Sequence, residues 1–68
     1  MMNDLVLHNK VKEYRTKAKL SQQELADKVG TTRQTIIAIE KGTFSPTAKL
    51  AMILTYALDC TFEELFYF

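Results

Sequence analysis

One cysteine, one proline, two glycines, one histidine and no tryptophan leave this 68-residue chain few of the devices that hold small proteins together. The lone thiol of Cys60 excludes an internal disulfide, and Cys60 with His8 falls short of the full ligand set of a structural zinc site. No metal and no cofactor are expected. No apolar run approaches the length that crosses a bilayer, and Leu5-Val6-Leu7 is too short for the core of a signal peptide, so the reading is a protein of the reducing cytoplasm with no membrane partner. Nor is there a paired-carboxylate cleft, a nucleophile beside a base, or enough chain to enclose a substrate, which argues against an enzyme. The length suits one domain, spanning 1–68, whose core barely outweighs the entropy of ordering it. Helix packing and self-association are left to supply the rest.

Charge of one sign is also missing, the formal net charge being +1. Its distribution is uneven. Residues 1–20 hold Lys10, Lys12, Arg15, Lys17 and Lys19 against Asp4 and Glu13, whereas residues 43–68 hold Lys49 against Asp59, Glu63 and Glu64. From charge alone, a solvated helix face followed by an acidic tail is preferred over a phosphate-facing surface.

What the chain does have is helical periodicity and helix punctuation. Leu7, Val11, Tyr14 and Ala18 share one face of a first helix over roughly 8–19. Ser21-Gln22-Gln23-Glu24 is a capping box that starts a second helix at Gln22, with Leu25, Ala26 and Val29 inward and Gly30 as its stop. Thr31 or Thr32 caps a third helix, roughly 32–41, that ends at Gly42. Ser45-Pro46 reads as an N-cap with proline at the first helical position, opening a fourth helix near 46–58 with Leu50, Ile53, Leu54 and Ala57 at core spacing. Thr61-Phe62-Glu63-Glu64 is a second capping box, for a short fifth helix ending near Phe66. Leu5-Val6-Leu7 and Phe66-Tyr67-Phe68 are the segments able to pair as a two-stranded ribbon.

The second and third helices are joined by a short turn around Gly30, with the small Ala26 one helical turn before it. This permits a close crossing, as in a helix-turn-helix, though an ordinary helical hairpin has the same signature. The third helix separates the two readings. Thr35, Ile36 and Ile39 fall on a core side, and Arg33, Gln34, Ile37, Ala38 and Lys41 on the other. Arginine bonds guanine bidentately, glutamine does so with adenine, and alanine or isoleucine presses on a thymine methyl, so this side has the chemistry of base reading. A merely solvated face predicts Glu/Lys pairs instead.

The stretch Leu20 to Gly42, LSQQELADKVGTTRQTIIAIEKG, followed by Pro46 and a leucine-containing fourth helix, resembles the Cro/repressor-type (XRE) helix-turn-helix family. The resemblance extends over roughly Val11 to Phe66 and is nearest to small stand-alone repressors of the cytolysin-repressor type. It implies an all-α, five-helix, lambda-repressor-like DNA-binding domain, with the terminal β-ribbon as an addition. Residue by residue it implies that Gln22, with Gln23 beside it, bonds phosphate at a helix N-terminus. Thr32, Arg33, Gln34, Ile37 and Ala38 would face bases, although Ile37 stands where relatives usually place a polar residue. Lys41, Thr43 and Phe44 would lie near the DNA backbone, and Arg15 would pair with Glu40.

The resemblance also implies a dimer interface toward the C-terminus. Phe62, Leu65, Phe66, Tyr67 and Phe68, with Tyr56, are more apolar surface than so short a helix buries alone, although such a tail also serves as a lid on its own core. Cys60 reads as a buried small apolar residue, His8 as a surface residue, and Met52 with Tyr56 as packing or interface. The expected function is sequence-specific binding of double-stranded DNA by a homodimeric transcriptional regulator, a repressor on a palindromic operator. The alternative is a protein-interaction module such as an antitoxin or regulatory subunit, whose binding would depend weakly on salt.

Overall fold

Hydroxyl side chains set the start of most helices. In the computed structural model, which describes residues 5–68, the Ser21 and Thr61 hydroxyls each accept the backbone N–H three residues on, while Glu24 and Glu64 reach back to the N–H of Ser21 and Thr61. These two capping boxes open α2 (Gln22–Val29) and α5 (Phe62–Leu65). Thr32, rather than Thr31, caps α3 (Arg33–Lys41) by accepting from Thr35 N–H. Gly30 and Gly42 close α2 and α3 in the left-handed region, at φ of 77° and 80°, where a side chain would be strained.

Three boundaries differ from those expected. The helix α4 (Ala48–Ala57) starts two residues later than the Ser45-Pro46 reading, because Thr47 is the cap and its hydroxyl accepts from Leu50 N–H at 3.2 Å. The helix α1 (Val11–Lys17) starts later and stops earlier. Lys10 at its N-cap position supplies no side-chain cap, the Val11 N–H being accepted instead by Asn9 Oδ1 at 3.1 Å, and its end is a left-handed turn at Lys19, φ 60°, that leaves Ala18 exposed instead of in the core. The ribbon is also displaced. β1 (His8–Asn9) pairs antiparallel with β2 (Phe66–Tyr67), His8 opposite Tyr67 and Asn9 opposite Phe66, so Leu5-Val6-Leu7 lies outside it. Asp4, counted above among the charges of the basic end, lies outside the described residues.

The helices enclose one apolar cluster. Val11, Leu25, Ala26, Ile36, Ile39, Leu54 and Leu65 are fully buried, joined by Val29, Ala51, Leu58 and Phe66, with Leu7, Tyr14, Leu20, Leu50, Ile53, Ala57 and Cys60 packed against them. α2 lies against both α3 and α4, which places the α2–turn–α3 unit on the core with one side of α3 free. Thr35, expected on the core side, is half-buried, its hydroxyl 3.0 Å from that of Thr32. Cys60 is half-buried rather than buried, and low-polarity surroundings push its thiol pKa up, aided by Glu64 and Asp59. A thiol so held is a poor nucleophile, consistent with a packing role. None of the described helices is long and apolar enough to cross a membrane.

Candidate nucleic-acid interface

The free side of α3 carries Arg33 and Gln34 in its first turn, both exposed, with Thr32 exposed just before them. Ile37 and Ala38, one turn further along, are half-buried, and Lys41 is exposed in the last turn. The opposite side is committed to the core through Ile36 and Ile39, both 0% exposed. An α3 pinned on one side presents its long polar side chains at its N-terminal end, the arrangement with which a recognition helix meets base edges. Ile37 is thus only partly outward, a more recessed position than its helical phase suggests.

Residues just beyond α3 are exposed as well. Thr43 is exposed, its N–H and hydroxyl both directed to the Ala38 carbonyl, and Phe44 follows at 46% exposure. Gln22 and Gln23 occupy the first two positions of α2, whose leading N–H groups have no intrahelical partner. Their side chains are already engaged. Gln23 donates to Asp27 Oδ1 at 2.8 Å, and Gln22 donates to Glu40 Oε1 at 3.1 Å.

Glu40 ties this surface to the rest of the molecule. Arg15 Nε donates to Glu40 Oε2 at 2.6 Å and Nη2 to Oε1 at 3.2 Å, a bidentate pair whose side chains are 10% and 5% exposed. The remaining arm, Nη1, donates to the Leu20 carbonyl at 2.9 Å, closing the turn between α1 and α2. Arg15 thereby holds α1, the α1–α2 turn and the end of α3 together.

Two features escaped the sequence reading. Asn9 Oδ1 accepts the first N–H of α1, from Val11, while its Nδ2 donates to the Ile39 carbonyl at 2.9 Å, a second bond to an oxygen that also accepts the Gly42 N–H at the end of α3. An asparagine just ahead of an apolar-periodic segment signals such a local turn through its side-chain oxygen, and starting the helix at His8 hides it. His8 is exposed as expected but stacks on Tyr67 at 5.5 Å between ring centroids, with the Lys10 ammonium 5.6 Å from the same ring. Lys17 lies 5.5 Å from the Tyr14 ring, so two of the lysines at the basic end rest against aromatic faces.

In the aromatic tail, Leu65 and Phe66 are 0% and 3% exposed and fill the chain's own core, which removes both from the surface expected to meet a partner. Tyr56, Phe62, Tyr67 and Phe68 stay exposed, as does Met52.

The family described as helix-turn-helix matches residues 11–65 of this chain. An uncharacterized HTH-type transcriptional regulator of Methanocaldococcus jannaschii is 45% identical over 60 residues, which is 88% of this chain and 91% of that protein. Another, YgzD of Bacillus subtilis, is 43% identical over 61 residues, or 90% and 92% of the two chains. The crystal structure of a candidate DNA-binding protein from Bacteroides fragilis superposes with a TM-score of 0.81 over 90% of this chain and 98% of its own, at 16% identity, a likeness of fold. The two sequence relatives are named as HTH-type transcriptional regulators, and α2, the Gly30 turn and α3 of this chain form a helix-turn-helix. The chain belongs to the Cro/repressor-type (XRE) helix-turn-helix family.

Proposed function

We propose that this protein is a cytoplasmic, sequence-specific DNA-binding transcriptional regulator, a repressor that covers a palindromic operator as a homodimer. The observation that carries the reading is the pair Arg33 and Gln34, exposed in the first turn of a helix whose other side is locked into the core. Arg33 and Gln34 read base edges in the major groove, Thr32 and Ala38 flank them, and Ile37 contributes what apolar surface it leaves open. Gln22 and Gln23 at the start of α2, with Lys41, Thr43 and Phe44 beyond α3, hold the phosphate backbone and fix the register. The domain, 1–68, ends in the segment through which two copies associate, and the bound dimer represses by excluding polymerase.

Selection from a random duplex library defines the preferred sequence, after which Arg33→Ala should cost about 1–3 kcal/mol on it and relax the preference at one base pair. Binding should weaken steeply as salt rises, since phosphate contacts release counterions. Equal loss on the selected and on random sequences would remove Arg33 from base reading. Binding indifferent to salt would favour a protein partner for this face instead.

A further inference from the structure

We propose that Glu40 is a positioning residue for DNA binding: through the hydrogen bond from Gln22 Nε2 to its Oε1, it aims the Gln22 carboxamide at a phosphate. The inference rests on the phosphate contact proposed for Gln22 and adds the group that preorganises it.

A carboxylate only accepts hydrogen bonds, so the Gln22 side chain must present its nitrogen, not its oxygen, to Glu40. An amide nitrogen has two N–H bonds in one plane. With one directed at Glu40, the other is left free to donate, on the first residue of α2, where the Gln22 and Gln23 N–H groups have no partner within the helix. That is a donor set for an anion. The carboxylate itself is immobile, because Arg15 holds both of its oxygens and is anchored in turn on the Leu20 carbonyl. Arg15 also neutralises it. An unpaired carboxylate 3.1 Å from Gln22 would repel a phosphate, whereas the paired one orients the amide and contributes little net field. A glutamine free in solvent loses rotamer freedom on binding, and Gln22 has lost much of it beforehand. Glu40 thus has a second task besides closing the ion pair, exercised across 18 residues of sequence.

Phosphate contacts do not depend on sequence, so random-sequence duplex DNA is the probe. Affinity and melting temperature are measured for wild type, Gln22→Ala, the apolar exchange Arg15→Met/Glu40→Leu, and the triple variant. In the wild-type background Gln22→Ala should weaken binding about tenfold, as for loss of a hydrogen bond to a charged group. In the apolar background, where Gln22 has no anchor, the same substitution should cost about twofold or less. An equal cost in both backgrounds overturns the positioning role and leaves the phosphate contact standing. No cost in either overturns the phosphate contact and, with it, this inference.

Should the exchange fail to fold, nitrogen relaxation of the side-chain amides in the DNA-free wild type decides. The Gln22 carboxamide should be nearly as rigid as the backbone and that of the exposed Gln34 mobile. Equal mobility overturns the proposal.

Discussion

Arg15 and Glu40 concentrate more of the domain's polar architecture than any other two residues described. Their side chains are almost wholly buried, and every arm of the guanidinium is engaged. Removing one partner strands the other in a poorly solvated place, so Glu40→Ala should lower the unfolding free energy by roughly 3–5 kcal/mol. In a domain whose total is on the order of 5 kcal/mol, that brings the chain to the edge of unfolding. Replacing both, as Arg15→Met/Glu40→Leu, should restore a melting temperature near that of wild type, because an apolar pair of similar volume avoids the desolvation cost. Urea titration of the three proteins measures this, and a Glu40→Ala midpoint equal to wild type would show the pair to be energetically idle. The pairing itself was implied by the family resemblance. The Gln22 and Leu20 contacts to the same two residues were not, since nothing in the sequence marks which carbonyl a guanidinium five residues away will reach, or a side-chain partner 18 positions away.

Helix boundaries followed the sequence where a single local cap signal stands without a rival. The starts of α2 and α5 were legible because a capping box involves residues three apart, and the ends of α2 and α3 because glycine takes up a left-handed turn. α4 slipped because Ser45 and Thr47 both offer a hydroxyl, and α1 because Lys10 at its N-cap offers no side-chain acceptor and Asn9, which takes the first N–H, belongs to a strand paired with Phe66–Tyr67. The capping boxes also predict an acid response. The Ser21 and Thr61 backbone N–H groups, and then their side chains, hold the Glu24 and Glu64 carboxyls below the usual glutamate range, with Lys17 assisting at Glu64. A group with a lowered folded pKa stabilises the fold above its unfolded pKa, about 4.3, and loses that contribution as pH falls through the folded value. These two carboxyls should therefore leave the melting temperature level from pH 7 down to about 5 and depress it below that. The double variant Glu24→Gln/Glu64→Gln, which keeps the cap geometry without the charge, should show a shallower acid decline. Superimposable pH profiles would assign acid sensitivity elsewhere.

On the scale of the whole molecule, the proposed dimer depends on which aromatics remain outside. A charge at Phe66 is not a test of association, because Phe66 is 3% exposed and its replacement would disrupt the core. Phe68, at 68%, and Tyr56, at 79%, are the positions to change. Phe68→Asp with Tyr56→Asp should retain helix content and melting temperature but sediment as a monomer and lose operator affinity by several orders of magnitude, since two linked half-sites multiply each other's binding. The half-sites should be centred one DNA turn apart, about 34 Å. A wild-type protein that sediments as a monomer at micromolar concentration, while binding a single half-site undiminished, would sink the dimer.

By itself the sequence determined the helical class, the order of the helices, the turn at Gly30 and the residue types on the outward side of α3. All of these arise from interactions within about one helical turn, where spacing translates directly into geometry. Only the tertiary structure decided that Leu65 and Phe66 belong inward, that the ribbon begins at His8 rather than Leu5, and that Asn9 and Gln22 each reach a residue near the end of α3. These depend on which of several apolar surfaces closes over the core and which buried polar groups then need partners, choices settled by packing among segments far apart in the chain.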